Sequence, residues 1–288
     1  MTPDGERYRL REAIEVAAAA LAEAGIDSAR IDAELLAAHL VGSERGRLAT
    51  IDPPEADFFR RYDEVIAARS RRIPLQHLTG TAAFGPLELQ VGPGVFVPRP
   101  ETEAILEWVV AQQLPTSAVI VDLCTGSGAL AIALADRWPR ARIIAVDDDA
   151  AALEYARCNA AGTAVELVAA DVTTAGLLPE LTGTVDLVVC NPPYIPAGTE
   201  LEPEVAEHDP AHALFAGPDG MAVIGPVAAL AGGWLAPGGL LAVEHDDTTS
   251  QQTVETIERT AYFTAITAHR DLAGRPRFVT ARRAEESA

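Results

Sequence analysis

Val119-Ile120-Val121-Asp122-Leu123-Cys124-Thr125-Gly126-Ser127-Gly128 joins a short β-branched run to a glycine-rich turn, and the alanine-rich stretch 129–135 follows at once. The run predicts a buried strand, the alanines a helix, and the glycines a loop where a ligand can approach the backbone closely at a helix N-terminus. Working outward, apolar strands and helical segments alternate over 118–123, 129–135, 141–146, 150–161, 165–169, 185–190, 221–235 and 239–244. That alternation predicts an α/β fold with a wound parallel sheet. A final pair, 263–268 and 278–281, is expected to close the sheet as an antiparallel hairpin. No internal repeat is present.

The loop alone leaves its ligand open. Gly126-x-Gly128-x-x-Ala131 satisfies the dinucleotide pattern, so a nicotinamide-dependent oxidoreductase competes on this motif. Nineteen residues after Gly128, Asp147 ends the next strand, where a carboxylate can accept both ribose hydroxyls of a nucleoside. Three features favour S-adenosylmethionine. Asp122 suits a methionyl ammonium and would repel a pyrophosphate. Asp171 is placed to accept from an adenine amino group, with Val172 packing beside the ring. All lie at strand C-terminal ends, where open α/β sheets bind ligands. Asp147 and Asp171 could each serve simply as a helix cap.

The third feature is Asn191-Pro192-Pro193-Tyr194, directly after the run Val185-Asp186-Leu187-Val188-Val189-Cys190. Two prolines after a strand donate no backbone hydrogen bonds and hold their φ angles, so the turn presents rigid acceptors. The Asn191 oxygen and the Pro192 carbonyl can take both hydrogens of an amide or exocyclic amine, with the Tyr194 ring against its flat face. Asn-Pro alone is a common turn pair; the tetrapeptide at a buried strand end is much rarer. Among the six histidines no catalytic spacing is evident, and Glu244-His245 is the one pair worth testing as a base.

The N-terminal portion differs in texture. A helix over 8–24 places Leu10, Ile14, Ala17 or Ala18, and Leu21 on one stripe and ends at Gly25; a second follows Ser28 with Ile31, Leu35, Leu36 and Leu40 inward; a third spans 54–71. Residues 74–100 carry glycine and proline between short β-type runs, Leu87 through Val91 and Val95-Phe96-Val97, and read as a hairpin linker. Pro100 then opens a helix, with Glu101 and Glu103 favourable for its dipole. The expected organisation is a helical substrate-recognition domain over 1–75, a linker over 76–100 and a catalytic domain over 101–288. Arg99 either orients a substrate or cofactor carboxylate or forms a surface salt bridge.

Composition constrains partners. The formal net charge is −20, the pI about 4.6, and all 22 basic residues are arginine. Through residue 80 there are 11 arginines and 14 acids, leaving 11 arginines and 28 acids beyond. Nucleic acid is therefore not expected as a direct ligand, whereas a basic protein partner suits the acidic C-terminal portion. The cysteines, Cys124, Cys158 and Cys190, form no zinc or disulfide pattern. The N-terminal residues are charged, and no apolar run is long enough to span a bilayer. A reduced, cytoplasmic, soluble and monomeric protein is expected, without metal or membrane contact.

With these residues in hand, the chain resembles the bacterial peptide-chain release factor glutamine methyltransferases over nearly its whole length. The resemblance rests on His77-Leu78-Thr79-Gly80, Val97 through Glu103, Asp122 through Gly128, Asn191 through Tyr194, Asp219-Gly220-Met221, and Asp271-Leu272-Ala273-Gly274-Arg275. It implies a Rossmann-like S-adenosylmethionine-dependent sheet with a small helical N-terminal domain joined by a β-hairpin linker. It implies methyl transfer to the side-chain amide nitrogen of the glutamine in the Gly-Gly-Gln loop of class I release factors. By the same resemblance Cys124, Thr125, Gly126, Ser127, Gly128, Asp147, Val172 and Asn191 contact the cofactor, while Asn191, Pro192, Pro193 and Tyr194 hold the glutamine. Cys124 stands where many members have glycine and Val172 where some have tryptophan, so weaker stacking on adenine is expected. A glutamine methyltransferase for a ribosomal protein would use the same turn, and an adenine-modifying enzyme offers the same two hydrogens.

Overall fold

A computed structural model describes residues 3–51, 57–271 and 273–285, with side chains from residue 9 onward. The start of the third helix at Pro54 and the side chain of Leu272 lie outside the described residues. The chain divides into two compact units: Met1–Thr81 with Glu202–His208, and Ala82–Leu201 with Asp209–Ala288.

In the first unit, α1 (Pro3–Glu23), α2 (Ala29–Leu40), α3 (Phe58–Ser70) and the short α4 (Leu75–Thr79) enclose Leu10, Ile14, Leu21, Leu36, Phe58, Tyr62 and Ile66. The stripe expected for α1 is the buried one. For α2 one expectation fails. Ile31 is 47% exposed, and the neighbouring Asp32 is buried instead. The reason is electrostatic: Arg69 Nε donates to Asp32 Oδ2 at 2.7 Å, Ser28 Oγ donates to Oδ1 at 2.8 Å, and Arg69 Nη1 reaches Glu204 at 2.9 Å. Satisfying a buried carboxylate turned the helix face. Removing one partner of a buried pair strands the other, so Arg69→Met is expected to cost about 3–5 kcal/mol in urea unfolding.

A hairpin follows, β1 (Thr81–Phe84) against β2 (Leu87–Gln90). Val95 to Val97 form no strand, contrary to expectation. Pro93 and Pro98 flank them and lack ladder donors, and Val95 and Val97 pack against Ala152 and Tyr155 instead. Pro100–Thr102 is a single 3₁₀ turn, and the α-helix starts one step later, at Glu103–Val110.

The sheet contains β3 (Val119–Leu123), β4 (Arg142–Asp147), β5 (Glu166–Ala169), β6 (Val185–Cys190), β7 (Leu235–Glu244), β8 (Phe263–Arg270) and β9 (Pro276–Arg283), in the order β5-β4-β3-β6-β7-β9-β8. The first five run parallel; β9 is antiparallel to both β7 and β8, as the expected closing hairpin requires. Strand alternation sorts the central residues into two cores. Ile120, Ile143, Ala145, Leu187 and Val189 face one side; Val121, Leu123, Ile144, Val146 and Val188 face the other. Each valine, leucine or isoleucine among them contributes about 1.5–3 kcal/mol of burial. The strand order reverses beside β3, where β4 and β6 flank it, and the crevice at their C-terminal ends is the position an open sheet offers a ligand.

Candidate active site

A cavity of about 350 Å³ opens at those strand ends. Its walls include the turn after β3, the ends of β4 and β6, Asp171 and Val172 after β5, and the aromatic rings of Phe84, Phe96, Tyr194 and Phe215. Of the residues singled out in the sequence, Asp122, Cys124, Thr125, Gly126, Ser127, Asp147, Asp171, Val172, Asn191, Pro192, Pro193 and Tyr194 come together on this wall. Gly128 and Arg99 do not line it. Gly128 adopts φ +86 at the entry to the helix Ala129–Arg137, where a left-handed residue turns the loop into the helix. Arg99 is ion-paired with Asp209 and stacked over the Phe96 ring at 5.0 Å, the salt-bridge alternative in a partly buried form.

Asp122 is 1% exposed. Its Oδ2 accepts from Thr125 Oγ1 at 2.6 Å and from the Ala131 N–H at 3.1 Å, so it ties down both the turn and an otherwise orphaned helix donor. Its Oδ1 is buried without a partner among the described residues. Burial pushes this carboxyl up to about 7, and the nearby Asp147 charge adds to the rise, against the two hydrogen bonds. Asp147 accepts from the Gly126 N–H at 2.8 Å on Oδ2 and from the Asp149 N–H at 2.9 Å on Oδ1, leaving each oxygen one further lone pair. Asp171 takes the Thr173 N–H and hydroxyl, both at 2.7 Å, on Oδ1 alone, and these bonds hold its carboxyl below the usual range. Cys124 sits at φ +57, a left-handed conformation that costs a side chain roughly 1–2 kcal/mol and explains why glycine suits the position.

The turn after β6 is anchored at both ends. Asn191 Nδ2 donates to Thr102 Oγ1 at 3.1 Å, which leaves Oδ1 as the acceptor available to the cavity. The Tyr194 hydroxyl donates to Glu244 Oε1 at 2.8 Å. Glu244 and His245 are buried at the end of β7 and neither lines the cavity, so the pair reserved as a candidate base lies behind the turn. The carboxyl of Glu244 is pushed up to about 7 by burial, opposed by Thr102, Tyr194 and Arg277. Arg277 is itself paired with Asp271 at 3.4 Å, and Asp271 Oδ1 accepts from the Ala273 and Arg275 N–H groups. The terminal motif thus builds a hairpin loop.

Three contributors carried weaker sequence signals. Asn159 bonds both polar groups of the Gln90 backbone and donates to the Ser127 carbonyl at 3.0 Å, fastening the hairpin to the glycine loop. Thr102 and Gly220 stand inside recognisable motifs, but their partners are distant in the chain.

A parallel sheet ending in an antiparallel hairpin, a glycine turn after its first strand, and acidic residues closing the next strands define a Rossmann-like methyltransferase. Residues 12–80 match the family model of the PrmC N-terminal domain and residues 92–213 that of the methyltransferase small domain. The release factor glutamine methyltransferase of Mycolicibacterium smegmatis is 67% identical over 279 residues, covering 97% of this chain and 99% of that one. The protein of the same name from Mycobacterium tuberculosis H37Rv is 66% identical over 278 residues, covering 95% and 91%. A methyltransferase structure from Pyrococcus furiosus shares the fold with a TM-score of 0.53 at 17% identity, over 76% of this chain and 99% of that chain. The chain belongs to the release factor glutamine methyltransferase family. Among the described residues no helix is long and apolar enough to cross a membrane.

Proposed function

We propose that this chain methylates the side-chain amide nitrogen of the glutamine in the Gly-Gly-Gln motif of class I peptide chain release factors, as a cytoplasmic monomer that binds no nucleic acid directly. The observation that carries the reading is the orientation of Asn191: with Nδ2 committed to Thr102, its oxygen is left as an acceptor on a cavity wall that Pro192 also lines. S-adenosylmethionine supplies an activated methyl group on a sulfonium. The cavity fits that cofactor, because Asp122 Oδ1, a buried carboxylate oxygen without a partner among the described residues, suits the methionyl ammonium. Thr125 through Ser127 would lie along the ligand, Asp147 would take the ribose hydroxyls with its free lone pairs, and Asp171 and Val172 would border the adenine.

An amide nitrogen is a weak nucleophile because its lone pair is delocalised into the carbonyl. Asn191 Oδ1 and the Pro192 carbonyl accept its two N–H bonds, hold its face toward the methyl donor, and stabilise the positive charge that develops on nitrogen. Preorganised groups of this kind are worth roughly 3 kcal/mol each. The nitrogen would gain the methyl group as the donor's S–CH3 bond breaks and leaves a neutral thioether, and it would give up one proton to water. A net charge of −20 supports a basic protein partner over a polyanion.

Tritiated S-adenosylmethionine offered with release factor, ribosomal proteins and duplex DNA tests the assignment. Label is expected on the release factor and absent when its motif glutamine is replaced by alanine; label on DNA or a ribosomal protein instead would sink it. A pH effect follows from Asp122. Only its ionised form attracts the ammonium, so with the carboxyl at about 7 cofactor affinity should tighten roughly tenfold from pH 5.5 to 7. The sign for folding is opposite: a pKa raised above the unfolded 3.8 favours the fold at low pH, and that contribution is lost as pH rises toward about 7. Calorimetry of Asp122→Asn should show weaker binding and a flat pH profile.

A further inference from the structure

Asn159 does not line the cavity, yet it grips the turn that does. It is the last residue of the helix Ala150–Asn159. The Gln90 N–H donates to its Oδ1 at 2.7 Å, while Nδ2 donates to the Gln90 carbonyl at 2.9 Å and to the Ser127 carbonyl at 3.0 Å. The orientation of the amide is fixed, because a backbone N–H can only donate and a backbone carbonyl can only accept. Both hydrogens of Nδ2 are thereby committed to carbonyls. The Ser127 carbonyl and the Gly128 N–H belong to one peptide unit, and that N–H donates to the Thr125 carbonyl at 2.9 Å. The peptide is held at both poles.

From this geometry we infer that Asn159 is a positioning residue for S-adenosylmethionine, fixing the Ser127–Gly128 peptide so that the wall formed by Thr125, Gly126 and Ser127 is set before the cofactor arrives. The inference rests on the placement of the cofactor along that wall given above. Its physical content is preorganisation. Gly126 and Gly128 adopt φ +57 and +86, and glycine restricts its own backbone least of all residues, so the turn keeps one shape only through ties from outside it. Asp122 and Asp147 tie its entry, through the Thr125 hydroxyl and the Gly126 N–H. Asn159 ties its exit. The same side chain holds Gln90 at the end of β2, so hairpin and turn share one anchor.

Asn159→Asp keeps the size of the side chain and the acceptor for the Gln90 N–H, but it turns a carboxylate oxygen toward two carbonyl oxygens. By calorimetry its Kd for S-adenosylmethionine is expected to rise about tenfold or more, with kcat at saturating cofactor within about threefold of wild type. Binding stoichiometry should stay full, since a folding defect lowers the fraction of chains that bind and leaves the Kd of the folded ones alone. Asn159→Ala removes the same bonds without adding a charge and is expected to weaken binding about fivefold; it keeps the test open if Asn159→Asp fails to fold. A folded variant with Kd within about twofold of wild type, or with kcat falling as far as affinity, overturns the inference. Amide exchange gives a readout that a structural role alone would not move. Gln90 lies outside the cavity, so saturating S-adenosylmethionine is expected to slow exchange of its N–H about threefold in the wild type, through Asn159. In Asn159→Asp the N–H keeps its acceptor and should not respond. An equal response in both proteins overturns the positioning role, whereas Asp122→Asn binding the cofactor as tightly as wild type counts against the placement on which the inference stands.

Discussion

Asn191→Ala is expected to lower methylation of release factor at least about 100-fold while S-adenosylmethionine binds within several-fold of wild type. The two halves of this expectation come from different parts of the cavity. The polar groups proposed to face the cofactor are Asp122 within β3, Asp147 at the end of β4 and Asp171 after β5, and none of their hydrogen bonds involves Asn191. Removing the Asn191 side chain therefore leaves their hydrogen bonds in place. The substrate amide loses one of its two acceptors, a loss of roughly 3 kcal/mol, which corresponds to about a 100-fold fall in rate. The Pro192 carbonyl alone fixes one N–H direction and lets the amide rotate about it, so alignment suffers as well. A radiometric assay and calorimetry on the same preparation decide the matter. A variant that methylates near the wild-type rate would remove the acceptor pair as the source of catalysis.

Local signals made the glycine-turn side of the cavity legible in the sequence alone. A β-branched run, glycines at a turn and alanines after it are near neighbours in sequence, and their conformations follow from short-range sterics and propensity. The Asn191 to Tyr194 turn was legible for the same reason, since proline constrains the backbone wherever it stands. What escaped the sequence depends on partners far along the chain. Asp32 lies inward and Ile31 outward because Arg69, 37 residues later, supplies a buried counter-charge. Val95 and Val97 look like strand residues, yet Pro93 and Pro98 beside them lack the donors a ladder needs, and burial against Ala152 satisfies the valines without one. Arg99 is drawn to Asp209, 110 residues away, so its pairing was open in the sequence. Glu244 reads as a strand-ending acid; only the sheet order, which sets β7 beside β6, brings it under Tyr194.

Gly220→Ala is the second large effect, and it tests the rigidity of the same turn from the outside. Gly220 belongs to the Asp219-Gly220-Met221 motif and adopts φ +75, where a side chain costs roughly 1–2 kcal/mol on conformation alone. Steric overlap adds more than this. A Cβ at position 220 would collide with the Tyr194 carbonyl oxygen, approach the Tyr194 carbonyl carbon to 3.1 Å and meet Pro196 Cδ at 3.3 Å. The obstruction is backbone and a proline ring, so no rotamer change relieves it. Tyr194 must move, while its hydroxyl remains tied to Glu244 and Asn191 to Thr102. The strain then appears as a displaced Pro192 carbonyl, and a shift of about 1 Å in a positioning group can cost about 100-fold in rate. Gly220→Ala should accordingly lose about 100-fold in kcat, with a change in S-adenosylmethionine affinity of a few-fold at most. Gly162→Ala supplies the control, since Gly162 adopts φ +84 with no atom near enough to touch a Cβ. It should show the conformational cost in urea unfolding and an unaltered kcat. If the two variants lose stability equally and both keep full turnover, close support of the turn by Gly220 has no part in catalysis.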